Sequence, residues 1–295
     1  MSAKAAIPES LKADLPQTKW GKILSTTPVV MTVIATLLAG LSSGEMIRAQ
    51  YDRSLAAQQQ SKAGDQWGYF QAKRLRAALQ RNTLDVVRST AKVYPLDAKR
   101  FDPASASRQA LESLASGHLP PTEPQPAIAE PIAAALSAVE NGQPEEEISR
   151  LLRSVKKADI ANALAAASAH VRAFDATLKP VTADIEALEK HIAPEIEPSF
   201  VAARLTYSAQ RYDAESRQNQ VIAQLLELQV RQSNTSAERH HSRSQFFFYG
   251  MLAAQLAVII STLSMAVQKR NLLWAIAAAA GVFAFAFAVY VYLFV

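Results

Sequence analysis

Three long apolar runs constrain this 295-residue chain more than any other feature of its sequence. They cover residues 23–41, 246–267 and 272–295, and none of them contains Asp, Glu, Lys or Arg. Each is close to the roughly 20 residues that an α-helix needs to cross the hydrocarbon core of a bilayer. The sequence therefore predicts an integral membrane protein with three transmembrane helices, for which the lipid bilayer is a partner.

The first run also resembles the apolar part of a secretory signal peptide. A basic tail at residues 1–22 precedes it, and small residues near Gly40 offer a cleavage site. The run is longer than the apolar part of most signal peptides, which favours an uncleaved membrane span. Residues 45–245 between the first two spans are polar and rich in alanine, and they are expected to form a helical soluble domain.

The short basic segments predict the orientation of the spans. In a three-span topology the tail and the hairpin before residue 272 lie on one side, with Lys4, Lys12, Lys19, Lys22, Lys269 and Arg270. The positive-inside rule makes that side cytoplasmic and the soluble domain periplasmic or extracytoplasmic. The opposite orientation stays open, because Arg48, Arg53, Arg239 and Arg243 flank the other ends of the spans.

Small residues recur within the spans at helical spacing. Gly250 with Ala254, and Ala277 with Gly281, allow close helix approach. Gln255 is the strongly polar side chain inside the spans and is a candidate for an interhelical hydrogen bond. Ionisable residues, which transport sites usually need, do not occur within the three runs.

The clearest pattern of the soluble domain is an apolar seam that alternates by four and three. Its members are Ile160, Leu164, Ala167, Val171, Phe174, Leu178, Val181, Ile185, Leu188 and Ile192. Such spacing is typical of a coiled coil or helical bundle. We predict an all-α fold with an elongated helical-bundle or coiled-coil soluble domain, in which the seam either forms the core or joins two protomers.

Other segments predict further helices and one linker. A helix from residue 45 to about 93 has a candidate apolar stripe at Leu75, Leu79, Asn82, Val86 and Val93. Residues 118–132 are rich in proline and are expected to be an extended linker, or else a docking segment for a proline-binding module. A helix begins near Pro144, and Asp159 is expected to cap the next one. The last soluble helix runs from about Phe200 into the second span.

Motifs for catalysis or cofactor binding are absent from the sequence. There is no cysteine, phosphate-binding glycine loop, HExxH, GxSxG or dinucleotide fingerprint. His240 and His241 are adjacent, so on a helix they point about 100° apart and are poorly placed to share a metal. We expect no enzyme activity, catalytic residue, cofactor or metal, and, without a basic cluster interleaved with aromatic residues, no nucleic-acid partner.

One aromatic stretch is the candidate interaction surface. Trp67, Phe70, Gln71 and Arg74 share one face of a helix. They would form either a recognition surface for a ligand or partner, or an aromatic anchor in the core of the bundle.

The same stretch carries a resemblance to a known family. DQWGYFQAK at residues 65–73, RYDAE at 211–215, and the Lys-Arg hairpin with Trp274 at 265–274 resemble an uncharacterised bacterial membrane-protein family that is known as a domain of unknown function. The resemblance implies a multi-pass protein of the bacterial inner (plasma) membrane and implies no activity.

The function expected from these observations is that of a membrane-anchored helical scaffold or interaction protein, with a protein partner or a homo-oligomer. The alternative is a sensor or ligand-input domain that signals through a partner protein, because helical bundles between membrane spans occur in receptors. An enzyme ranks third, because no catalytic constellation is recognisable.

Overall fold

The computed structural model describes residues 19–96, 107–190, 192–266 and 270–294, and all regular structure in these ranges is α-helical. Its seven helices are α1 (Lys19–Thr90), α2 (Arg108–Ser116), α3 (Glu130–Glu140), α4 (Glu145–Ser154), α5 (Lys157–Glu189), α6 (Glu197–Ala266) and α7 (Arg270–Phe294). The predicted all-α class is confirmed. Lys4, Lys12 and Lys269, which help to predict the orientation, lie outside the described residues.

Two of these helices are far longer than the spans that they contain. α1 has 72 residues and α6 has 70, and neither is interrupted between its polar and apolar parts. Three helical segments are long and apolar enough to cross a membrane: Ser25–Thr90, Glu197–Ser264 and Leu272–Leu293. The chain divides into two compact units, one of Met1–Ser54 with Asn234–Val295 and the other of Leu55–Ser233.

In the first unit the small residues lie at helix contacts, as their spacing predicts. A side-chain carbon added at Gly250 would stand 3.3 Å from Leu38 Cδ1, and one added at Gly281 would collide with Met31. Ala254 and Ala277 are fully buried. Gln255, in contrast, is exposed and makes no hydrogen bond with a described residue, so the expected interhelical bond is not formed.

In the second unit the predicted seam is the buried face of α5. Its buried members are Ile160, Ala167, Phe174, Leu178, Val181, Ile185 and Leu188. The partners that cover the seam belong to the same chain, among them Leu225 and Phe200 of α6. Of the two alternatives for the seam, a core within one chain is therefore correct. α5 continues through Pro180 and ends at Glu189, before the last seam residue, Ile192.

The structure corrects the predicted linker and cap. Residues 117–129 are not helical, but α3 begins at Glu130 with Pro131 in its first turn, so the predicted linker at 118–132 extends too far. Proline is accepted there because the first helical amides have no intrahelical acceptor. Asp159 lies within the first turn of α5 and Lys156 is the N-cap, so the predicted cap is wrong.

The structure also reverses most of the predicted apolar stripe on α1, although Val93, just beyond the helix, is half-buried against the cluster that contains Leu84. Leu75, Leu79 and Val86 are exposed, and the buried face carries Ala56, Ala63, Ala77 and Leu84 at multiples of seven residues. Alanine permits a close approach of helix backbones. A search for large apolar residues therefore mistakes the exposed face of this helix for its buried face.

Phe174→Ala should destabilise the protein by ~3–5 kcal/mol, because Phe174 is 4% exposed and its loss leaves a cavity in the core. Chemical unfolding of the full chain in detergent measures this loss. Phe174→Leu, which retains most of the buried volume, should cost clearly less. Unchanged stability of Phe174→Ala would show that the seam is not a packed core.

Candidate functional site

A polar layer lies between two apolar clusters in the second unit. One cluster contains Ile160 and Ala167 of α5 with Ile222 and Leu225 of α6. The other cluster contains Val181 and Ile185 with Phe200 and Tyr207, from the same two helices. The residues between these clusters along α5 and α6 include Asp175 and residues 211–219, and α1 contributes Gln66, Tyr69 and Lys73.

Glu215 is the centre of this layer. Its side chain is 12% exposed and forms ion pairs with Lys73 of α1 and with Arg211 of its own helix, the latter at 3.3 Å between Nε and Oε1. Charges this shielded attract each other more strongly than charges at the surface, and either one left alone would be costly. Glu215 thus links α1 to α6.

Tyr212 and Asp213 extend this link. The Tyr212 ring has three cations within 6 Å of its centroid: Arg211 at 4.8 Å, Lys73 at 5.4 Å and Arg76 at 5.9 Å. These distances suit cation–π attraction. Asp213 forms an ion pair with Arg81 of α1. The structure therefore brings together the ends of two stretches far apart in sequence, residues 65–73 and 211–215.

Tyr207 and Thr182 border the layer. The Tyr207 hydroxyl is 3.3 Å from Thr182 Oγ1, and Arg211 Nη1 donates a hydrogen bond of 3.0 Å to the same oxygen. Tyr207 is 1% exposed, and its burial raises the pKa of the phenol, with an opposing effect from the bond to Thr182. The phenol therefore stays neutral at physiological pH and serves as a hydrogen-bonding partner.

Asp175 is an exposed carboxylate at the rim of the layer. Although the residue as a whole is exposed, partial desolvation of its carboxyl group raises the pKa of Asp175. The negative charge of Glu215 raises this pKa further, while Lys73 and Arg211 act in the opposite direction. Among the described residues Asp175 has no hydrogen bond and no ion pair within 4 Å.

Two cavities meet at Asp175. The smaller, of about 250 Å³, is bordered by Gln66, Tyr69, Lys73, Asp175, Glu215 and Gln218. The larger, of about 430 Å³, is bordered by Asp175, Lys179, Thr182, Glu186, Arg211 and Glu215. The Oε1 atoms of Gln66 and Gln218 are buried and accept no hydrogen bond from the protein.

Three of the four predicted surface residues touch one another on α1. The Trp67 and Phe70 rings meet edge to face with centroids 5.5 Å apart, and the Arg74 guanidinium lies 5.8 Å from the Phe70 centroid. Both rings are half-buried, whereas Gln71 and Arg74 are exposed. Neither ring belongs to an apolar core cluster of the described residues, so the interaction surface stays a prediction.

The two adjacent histidines, in the first unit, have separate partners. His240 Nδ1 lies 2.5 Å from the buried carboxylate of Glu45, and His241 Nε2 lies 3.1 Å from Gln245. This separation agrees with the 100° between neighbours on a helix. Across the described part of the chain, no three His, Asp or Glu residues are arranged to hold a metal ion.

The residues of the polar layer were not recognisable as a site in the sequence. No chemical motif marks Asp175, Glu215 or Gln218 in the sequence. The stretch at 211–215 was noticed only because it resembles part of a known family. Lys73 lies 142 positions from Glu215, so their pairing follows from tertiary packing.

Residues 20–115 match the protein family described as a domain of unknown function, DUF4337. The matched range includes the aromatic stretch at 65–73, whereas 211–215 and 265–274 lie outside it. No curated protein and no solved structure shows a significant match to this chain. The family match agrees with the expected resemblance to a domain of unknown function and names no activity.

Asp175→Asn should raise the melting temperature at neutral pH, because the raised pKa of Asp175 means that its charge destabilises the folded state. The free-energy cost of the Asp175 charge is complete above the folded-state pKa of this carboxyl group. It disappears below the pKa of the unfolded chain, which is about 3.9 for aspartate. Melting curves between pH 4 and 7 should therefore converge at the acid end. Glu123→Gln, at an exposed position, is the control and should have the melting temperature of the wild type at every pH. A lower melting temperature of Asp175→Asn at pH 7 would contradict the prediction.

Proposed function

We propose that this protein is a membrane-anchored helical scaffold or interaction protein that associates with a second copy of itself through the outer face of α1. The observation that carries the proposal is the exposed apolar stripe of α1. Leu75, Leu79 and Val86 are 62%, 53% and 60% exposed. Single exposed leucines are ordinary, but several aligned on one helix face indicate an interaction surface.

The membrane anchor is supported by the outer surfaces of the apolar helices in the first unit. Many large apolar side chains there are exposed, including Val33, Leu37, Leu256, Ile259, Val282 and Phe283. Helices that are apolar on all sides suit a lipid environment. In this proposal the chain crosses the bacterial inner membrane three times with its basic tail in the cytoplasm, so that the soluble domain is periplasmic.

The spacing of the stripe favours a second copy as its occupant. Leu75, Leu79, Asn82 and Val86 follow one another at four, three and four residues, which is the spacing of a two-stranded coiled coil. Asn82 is the polar member of this seam. Its amide both donates and accepts hydrogen bonds, so it can pair with the same residue of an identical helix. Pairing of the two Asn82 side chains therefore favours the register in which they lie opposite each other.

The flanking charges permit a parallel pair. In parallel register Arg76 of one copy faces Gln71 of the other, and Asp85 faces Thr90, so no like charges meet beside the seam. Two copies inserted in one membrane with the same orientation also direct their α1 helices the same way. Confinement to the membrane raises the effective concentration of the copies, which compensates for a short seam.

Asn82→Cys should form a disulfide-linked dimer in membranes after mild oxidation, because parallel pairing places the two side chains opposite each other. The chain has no native cysteine, so any disulfide must form through the introduced thiol. Non-reducing electrophoresis of the full-length protein measures the dimer. Arg172→Cys, exposed on α5, provides the matched control and should stay monomeric.

A second change tests the apolar contact itself. Leu79→Lys introduced together with Asn82→Cys should reduce cross-linking severalfold, because it places two cations opposite each other in the seam. Because Leu79 is exposed, the fold should tolerate this change. Equal cross-linking at positions 82 and 172, or no effect of Leu79→Lys, would refute self-association through this stripe.

The orientation has its own test by impermeant maleimide labelling of single cysteines in intact cells with a permeabilised outer membrane. Ser107→Cys in the soluble domain should be labelled and Gln268→Cys in the hairpin should not, because the basic segments hold the hairpin in the cytoplasm. Both should react after the inner membrane is also permeabilised. The reverse pattern would place the soluble domain in the cytoplasm.

The second candidate function is a ligand-input domain that signals through a partner protein. The observation in its favour is a cavity of about 250 Å³ that is bordered by polar residues of three helices, among them Lys73 of α1, Asp175 of α5 and Asn219 of α6. A ligand bound between two helices would favour one arrangement of them over another.

A further inference from the structure

We propose that two copies of this protein also meet inside the membrane, where Gln255 of each copy pairs with Gln255 of the other at a groove between α1 and α6. This inference rests on the membrane anchor of the proposed function, but it does not depend on the apolar stripe of α1. All the residues that form this contact belong to the first unit.

The depth of Gln255 in the membrane is the first argument. It lies near the middle of the apolar run at residues 246–267, which contains no ionisable residue. At about 1.5 Å per residue, the nearer end of this run is roughly 13 Å away along the helix. A glutamine side chain is too short to bring its amide from there to the lipid headgroups. In the proposed topology the amide therefore lies in hydrocarbon.

The second argument is that the amide lacks a partner within the chain. Gln255 is exposed and makes no hydrogen bond with a described residue. Its neighbours Ala254 and Ala257 are fully buried, so α6 packs on its own chain through small residues and leaves Gln255 outside that contact. Hydrocarbon contains no water to replace the missing hydrogen bonds, which makes an unpaired amide costly. The favourable partner is therefore a polar group from outside this chain.

The third argument is the surface around the amide, which is a groove of about 490 Å³ between α1 and α6. Small side chains in this groove permit close approach of another helix. The Thr32 and Thr36 hydroxyls donate hydrogen bonds of 2.8 Å to carbonyl oxygens within α1, so their oxygens can still accept one. The residues that line the groove include Thr32, Ala35, Thr36 and Ala39 of α1, with Gln255 and Ile259 of α6.

A second copy is the occupant that this chemistry favours. An amide has two N–H donors and one acceptor oxygen, so two glutamine side chains satisfy each other reciprocally. Copies inserted with the same orientation hold Gln255 at the same depth, and a two-fold axis brings identical surfaces together. A lipid acyl chain offers neither donor nor acceptor and would leave the amide unpaired. A span of a different protein would need its own polar group at this depth.

Disulfide cross-linking of Ile259→Cys tests the proposal. Ile259 is exposed, borders the groove and lies one helical turn from Gln255. The purified full-length variant in vesicles of phosphatidylethanolamine and phosphatidylglycerol, oxidised with a membrane-permeant catalyst, should form a dimer on non-reducing electrophoresis. Tenfold dilution with lipid should preserve this dimer. Phe283→Cys, exposed near the middle of α7 and outside the groove, is the matched control and should stay monomeric.

Substitutions at position 255 test the amide itself. Gln255→Leu in the Ile259→Cys protein should lower cross-linking at least about fivefold, because it removes the interhelical hydrogen bonds. Gln255→Asn keeps an amide and should lower it less. Since Gln255 has no partner within its chain, neither change should lower the melting temperature. Equal cross-linking at positions 259 and 283, or no effect of Gln255→Leu, would overturn the contact. The absence of any dimer would assign the groove to lipid or another protein and would also overturn it.

Failure of this contact is distinguishable from failure of the proposed function. Leu79→Lys disrupts the stripe of α1 but should leave cross-linking through position 259 intact, and its loss there would overturn a separate membrane contact. Gln255→Leu should likewise leave cross-linking through position 82 intact. Release of the wild-type protein from vesicles by alkaline extraction would refute the membrane anchor and this contact together. Protein that stays in the vesicles without cross-linking would refute the contact alone.

Discussion

The buried carboxylate of Glu215, held by Lys73 and Arg211, is the interaction on which the arrangement of the second unit depends. Apolar contacts between long helices tolerate sliding, since one leucine or alanine replaces another. An ion pair shielded from water does not, because a shift of α1 along α6 would leave a charge buried without its partner. The pair lies between two apolar clusters, so it fixes the register while the clusters supply most of the stability.

The same polar layer contains groups that the fold does not satisfy. The carbonyl oxygens of Gln66 and Gln218 are buried and have no protein donor among the described residues. Gln66, Asp175 and Gln218 border one cavity between α1, α5 and α6. The ligand-input alternative draws its support from this cavity, whereas the self-association proposal draws its support from the outer face of α1.

The sequence predicted the parts of the fold that local spacing controls. The uncharged runs marked all three candidate spans, and the four-three alternation from Ile160 marked the buried face of α5, because large apolar residues at helical spacing bury together. The aromatic stretch around Trp67 was recognised, and three of its residues do touch. The buried face of α1 was predicted wrongly because it consists mainly of alanine. Alanine allows close packing of helices, but its periodicity in the sequence is harder to recognise than that of leucine. The helix α3 was missed because Pro131 in its first turn continues the proline-rich segment before it, which suggested a linker.

What the sequence determined by itself was therefore the class of the protein: helical, with three segments that are long and apolar enough to cross a membrane. The tertiary structure decided which side of α1 is core and which is surface. It also decided that Lys73, Asp175 and Glu215 form one polar layer, although they lie on three helices far apart in the chain. These outcomes depend on how whole helices pack, and the spacing within any one helix carries no information about its neighbour's charges.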